Sequence, residues 1–148
     1  MDRNDLPIRG RFVGGEHRFP VRVYFEDTDL SGVVYHANYL RFMERARSDM
    51  LSVAGIDQRA AFEGEGGFYV VADLSIRYRR PARLDDDLIV VSTLKGFTAA
   101  SATIHQRVML GRDILTEATV LAAFVAPGGK PRRQPRAWLA IFEGILEV

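Results

Sequence analysis

Between residues 39 and 54 apolar side chains recur at helical spacing: Tyr39, Met43, Ala46, Met50 and Ala54 stand four, three, four and four apart. Leu40, Phe42, Leu51 and Val53 widen the stripe, while Arg41, Glu44, Arg45, Ser48, Asp49 and Ser52 populate the other side. So broad an apolar face has to be covered along its length. The spacing predicts a helix that begins at His36 or Asn38 and ends at Ala54, with Gly55 as its C-terminal cap.

What can cover it is limited, because residues 70–126 have the period of strands. Val70, Ala72, Leu74, Ile76 and Tyr78 alternate with Val71, Asp73, Ser75, Arg77 and Arg79. Residues 88–97 are nearly continuously apolar, as a central strand buried on both faces would be. Residues 102–110 alternate again, and the Gly111-Arg112-Asp113 turn leads into a run over 114–126. The short links imply antiparallel hairpins. Upstream, Phe19, Val21, Val23 and Phe25 alternate with Arg18, Pro20, Arg22 and Tyr24, a first strand over 16–25 with Pro20 near its start. Residues 1–15 read as a loose arm and 57–67 as a loop. After Pro135, Trp138, Phe142 and Ile145 predict a short terminal helix. The expectation is one α+β domain over 1–148: a long helix covered by a curved antiparallel sheet of about five strands.

Composition removes several functions. There is no cysteine, hence no disulfide, thiolate nucleophile or Cys-containing zinc site. A formal net charge of +1 lacks the basic excess of a general nucleic-acid binder. No run approaches the ~18 apolar residues of a membrane span. The polar, mixed-charge N-terminus has no apolar signal core, so a cytoplasmic location is expected.

The most reactive stretch is FEDTDLSGVVYHANYLRFMERAR, residues 25–47, where a turn joins the first strand to the helix. It holds Asp27 and Asp29, then Gly32, then His36 seven residues after Asp29. Asp27, Asp29, Ser31 and Gly32 also match the opening of a calcium loop, but the twelfth position is Asn38 and a strand precedes it. No metal site is expected. Tyr24, Thr28, Asp29, Gly32, Val34, His36, Tyr39 and Glu44 fill the pattern Y-x-x-T-D-x-x-G-x-V-x-H-x-x-Y-x-x-x-x-E. In these eight positions the chain resembles the hotdog-fold acyl-CoA thioesterases of the 4-hydroxybenzoyl-CoA thioesterase family. The segment IRYRRPARLDD over 76–86, the Gly-Lys-Pro-Arg run near 130 and the ERAR run after the helix glutamate extend the likeness. It is nearest to the thioesterases associated with the bacterial Tol-Pal system.

A thioester needs little leaving-group assistance, since a thiol of pKa ~8.5 departs as thiolate. It needs a carboxylate, as nucleophile or general base, and donors for the developing oxyanion. The resemblance implies Asp29 for the first role. The helix N-terminus near Tyr35 and His36 would supply the second, with the His36 side chain orienting thioester or water and Gly32 shaping the turn. Glu44 enters as a further catalytic candidate, or else as a partner of Arg47 or Ser48. Tyr39 is expected at the substrate. Arg79, Arg80 and Arg83, with Lys130 and Arg132, are candidate ligands for coenzyme A phosphates, alongside Arg77 and Arg133. Met43, Phe62, Phe68 and Tyr69 are candidates for the acyl pocket. His17 and His105, without a carboxylate nearby in sequence, are read as structural. The implied substrate is acyl-CoA, hydrolysed without metal or redox cofactor by a homotetramer built from dimers. Acyl carrier protein as acyl donor, and a non-catalytic acyl-CoA-binding module, are the alternatives.

Overall fold

The structure, a computed structural model, describes residues 1–64 and 66–148. Strands β1 (Arg11–Val13) and β2 (Glu16–Arg22) form a hairpin, followed by a 3-10 turn at Phe25–Asp27 and helix α1 (His36–Val53). Helix α2 (Gln58–Glu63) leads to β3 (Phe68–Tyr78), β4 (Asp87–Phe97), β5 (Ser101–Leu110), β6 (Asp113–Val125) and the terminal α3 (Arg136–Leu146). The strands make one antiparallel sheet in the order β1-β2-β4-β5-β6-β3. Helix α1 lies against β2, β4 and β5. The expected α+β arrangement is therefore observed, with six strands rather than about five.

Burial follows the sequence pattern. Tyr39, Phe42, Met43 and Ala46 from the first half of α1 pack with Val23, Leu88, Val90 and Val108. Met50 and Leu51 from the second half join a separate cluster with Leu94, Ile104, Phe124, Trp138 and Phe142. In β4 the neighbouring Val90 and Val91 are both buried, as a strand covered on both faces requires. Among the described residues, no helix is long and apolar enough to cross a membrane.

Three expectations need correction. Residues 1–15 are not a loose arm. They begin with a 3-10 turn at Arg3–Asp5, and β1 pairs with β2. Arg9 donates to the Ser52 hydroxyl at 2.6 Å, and the Gly10 N–H donates to the Asp49 carboxylate at 2.8 Å. A side chain at residue 10 could not fit, because a Cβ would lie 2.5 Å from the Arg18 carbonyl oxygen and 2.7 Å from Asp49 Oδ2. Secondly, the first long strand ends at Arg22 instead of 25: Phe25 has entered the 3-10 turn and is 82% exposed. Thirdly, the expected loop over 57–67 contains α2, started by the Asp57 side chain accepting the Ala60 N–H at 2.9 Å.

Candidate active site

The corner between β2 and α1 is folded by its own short-range polar residues. The Asp27 carboxylate accepts the Tyr24 N–H at 2.9 Å and closes the 3-10 turn; the Thr28 hydroxyl donates to the Phe25 carbonyl at 2.8 Å. A tighter turn follows, in which the Asp29 N–H donates to the Val33 carbonyl and the Gly32 N–H to the Asp29 carbonyl. Gly32 has φ +80°, a region where a side chain would be strained. The far strand of the turn is pinned from outside: Val34 donates to the Ala82 carbonyl at 2.8 Å, and Ala82 donates to the Tyr39 hydroxyl at 2.8 Å. Val33 also bridges to Arg83.

Asp29 stands exposed on this turn. Its Oδ1 accepts the Ser31 N–H at 2.9 Å and the Ser31 hydroxyl at 2.5 Å. The Ser31 hydroxyl bond, then the Ser31 backbone bond, hold the carboxyl below its ordinary value. The group is ionised at neutral pH, and both bonds it accepts from Ser31 go to Oδ1.

The turn leads into a helix start without a side-chain cap. Tyr35 occupies the N-cap position and makes no side-chain capping bond. Its own N–H, expected as an oxyanion donor, is already given to the Asp27 carbonyl at 3.0 Å. That expectation is corrected: the N–H groups left without a partner among the described residues belong to His36 and Ala37. The His36 ring is exposed, 4.5 Å from the Tyr35 ring and 6.2 Å from Tyr78, whose hydroxyl donates to the His36 carbonyl at 2.9 Å. The fold thus brings together Asp29, Gly32, Tyr35, His36 and Arg83, and adds Ala37 and Tyr78.

Other expected residues lie elsewhere. Tyr39 is 3% exposed in the core, where its hydroxyl holds the Ala82 backbone; it supports the corner from behind instead of meeting substrate. Glu44 is exposed eight residues beyond His36, ~12 Å along the helix. It lies at the rim of a cavity of about 330 Å³ between the second half of α1 and the sheet. Arg47, one turn on, feels the Glu44 charge but forms no ion pair with it; its guanidinium donates to Gln106 at 2.9 Å. Burial pushes the Arg47 pKa down. Gln106, fully buried, donates onward to the Met43 carbonyl and the Ser92 hydroxyl, both at 2.9 Å. This polar seam was overlooked in the sequence, although a glutamine in the inward phase of β5 was its visible sign.

Of the acyl-pocket candidates, Tyr69 lines the cavity, together with Val70, Leu51, Leu94, Ala102, Ile104 and Phe142. Met43 does not; it is sealed in the other cluster, and Met50 takes the place at the cavity. Phe62 and Phe68 pack on each other at 5.8 Å, away from it.

The basic residues divide. Arg79 pairs with Glu117 at 2.8 Å and Arg80 with Asp113 at 3.4 Å, near the corner. Lys130 and Arg132 sit on the loop after β6, at the other end of the β3–β6 pair: Arg132 donates to the Phe124 carbonyl, and Phe124 pairs with Tyr69. The eleven residues of β3 separate the two clusters by roughly 30 Å. Both histidines read as structural turn out to be paired with carboxylates, His17 with Asp49 at 2.7 Å and His105 with Glu117 at 2.8 Å.

Residues 23–139, which include the corner, both basic clusters and every cavity-lining residue but Phe142, match the thioesterase-like superfamily. The chain belongs to that family. Among its thioesterase relatives, the acyl-CoA thioester hydrolase YbgC of Escherichia coli is 41% identical over 128 residues, 85% of this chain and 95% of its own. The acyl-CoA thioesterase YbgC of Haemophilus influenzae is 42% identical over 125 residues, 84% of this chain and 92% of its own. A probable thioesterase from Bartonella henselae, 40% identical, superposes with a TM-score of 0.78 over 81% of this chain and 99% of that one. The resemblance carried by the Tyr24–Glu44 pattern is therefore borne out at the level of family and hotdog fold.

Proposed function

We propose that this chain hydrolyses acyl-CoA thioesters to the free acid and coenzyme A, with Asp29 as its carboxylate and the His36 and Ala37 N–H groups as oxyanion donors. The observation that carries this reading is an ionised carboxylate on the turn before a helix start without a side-chain cap. The relatives' names support the substrate class. Two routes share this geometry. As a nucleophile, Asp29 attacks the thioester carbonyl, thiolate leaves, and water hydrolyses the resulting anhydride. As a general base, it takes a proton from water as the hydroxide adds, and the proton passes to the departing thiolate. In both, negative charge on the carbonyl oxygen grows at the positive end of α1, where free N–H groups stabilise it. Neither route calls for a metal or redox cofactor.

A homodimer completes the site in this reading. β3 is an eleven-residue edge strand with Val70 39% and Val71 51% exposed, a ready template for a second chain. Antiparallel pairing of two β3 edges sets the Phe68 end of one beside the Tyr78 end of the other. The partner's 127–133 loop would then approach the corner, and Lys130 and Arg132 would join Arg80 and Arg83 around the coenzyme A phosphates. A tetramer of two such dimers and a cytoplasmic setting belong to the same proposal. Acyl carrier protein remains the second candidate donor, because Arg77, Arg83 and Lys130 form no ion pair among the described residues and could meet an acidic protein.

Thiol release from a panel of acyl-CoAs tests the reaction. Wild type is expected to turn over at least one, and Asp29→Asn to lose ~10²–10⁴-fold in kcat with its fold intact. Undiminished turnover in Asp29→Asn would move the chemistry to other residues. Acyl-CoA binding without any turnover would leave a binding module.

A further inference from the structure

At the C-terminal half of α1 the cavity is bordered by Tyr69, whose ring packs against Phe124 and Trp138, and we propose that Tyr69 sets the longest acyl chain the protein accepts. The proposal rests on the thioesterase reading and names a specificity-determining residue for it.

Tyr69 is the second residue of β3 and is held on every side. Its ring meets Phe124 edge-on at 5.2 Å and stacks on Trp138 at 6.0 Å, and those two rings are 5.3 Å apart. Its hydroxyl donates to the Gln134 side-chain oxygen. Gln134, 3% exposed, donates in turn to the Thr98 carbonyl at 2.9 Å and the Ser101 carbonyl at 3.1 Å. A ring clamped by two aromatic neighbours and a buried amide cannot swing aside for a ligand, as a loosely packed side chain could.

The two sides of this clamp differ. On one is the 330 Å³ cavity, walled by Leu51, Leu94, Ala102, Ile104 and Phe142. On the other, a groove of about 630 Å³ runs between α2 and the start of α3, with Phe124 and Trp138 in its floor. The aromatic trio is the partition between them. Glu44, Arg47, Ser48 and Gln58 line the cavity too, so its lining is mixed; along the apolar walls a polymethylene chain gains about fourfold in binding for each buried methylene. The cavity begins at Glu44, ~12 Å along α1 from His36, and extends past Leu51. In this proposal a chain that reaches the cavity from the corner is at least of medium length, and its end meets Tyr69. The next methylene would have to displace a fixed ring, which costs ~10-fold or more in kcat/KM.

The experiment is a kcat/KM profile over straight-chain acyl-CoAs of increasing length, for wild type, Tyr69→Phe, Tyr69→Ala and Ala102→Leu, with folding followed by circular dichroism. Wild type should show a sharp upper limit. Tyr69→Phe keeps the ring and should keep that limit. Tyr69→Ala opens the cavity into the groove and should move the limit to longer chains. Ala102→Leu fills the near side and should move it to shorter chains, so the test survives if Tyr69→Ala does not fold. A folded Tyr69→Ala or Ala102→Leu with the wild-type limit overturns the assignment, as does an active wild type with a flat profile. A wild type that cleaves no acyl-CoA of any length removes the thioesterase reading itself, a distinguishable result.

Discussion

At its N-terminal end α1 starts on an exposed tyrosine with no side-chain capping bond, with the His36 and Ala37 N–H groups unpaired among the described residues and an ionised carboxylate on the turn before them. At its C-terminal end the pattern is the reverse. Gly55, at φ +97°, turns the chain so that its N–H and those of Ala54 and Ile56 satisfy the last carbonyls, and Asp57 caps the next helix at once. Around that closed end Trp138, Phe142, Leu51 and Met50 are buried. The contrast teaches where this fold spends its stability. The helix is secured by packing at one end, while the end beside the carboxylate turn keeps N–H groups that a ligand could use.

The largest expected departure at the closed end is Phe142→Ala. This residue is 1% exposed, and its loss should cost ~3–5 kcal/mol in urea unfolding. Turnover of acyl-CoAs too short to reach the cavity should change far less in molecules still folded, since Phe142 lines the cavity and not the corner. A comparable loss of kcat at full stability would break the contrast. Tyr35→Ser attacks it from the other side. A serine at this N-cap position can accept the Ala37 N–H, which should stabilise the protein by about 1 kcal/mol. The same bond removes an oxyanion donor and should lower kcat by ~10²-fold. Stability and activity moving together would refute the oxyanion role of that end.

Two smaller effects are read in pH. Because Ser31 holds Asp29 below the ordinary carboxylate value, Asp29 stays charged, and activity persists, to below about pH 4 before the acid limb falls. Ser31→Ala removes the leading cause and should move that limb up toward the usual carboxylate range, as kcat/KM against pH would record. In His17, burial outweighs Asp49 and holds the imidazole below its ordinary value. The unfolded chain therefore takes up a proton near pH ~6.5 that the folded chain still refuses, so stability is full above this pH and declines as pH falls through it. Melting temperatures at pH 7.5 and 5.5 should differ by roughly 2 °C less in His17→Gln than in wild type.

Much of this could be read from the chain. The α1 stripe, the strand periods and the Trp138–Phe142 spacing are local properties of consecutive residues, and each element formed near its expected place. Asp29 and the helix start were equally legible, because the turn that sets them together is closed within ten residues by Asp27, Ser31 and Gly32. The donor expectation needed correction at Tyr35 alone, for a non-local reason: which N–H stays free depends on the Asp27 carbonyl folding back onto Tyr35. The β1 hairpin was missed because three residues carry too little pattern, and what secures them is Asp49, on a helix that comes later in the chain.

By itself, then, the sequence determined the element types, the apolar faces and the carboxylate turn, since these depend on neighbours a few residues apart. Only the tertiary structure decided that Tyr39 is a core prop, that Arg47 leans on a buried Gln106, that Tyr69 lines a cavity while stacking on Trp138, and that the two basic clusters lie at opposite ends of one strand. Those outcomes depend on residues tens of positions apart meeting in space, where burial and hydrogen-bond geometry choose among side chains that look equivalent along the chain.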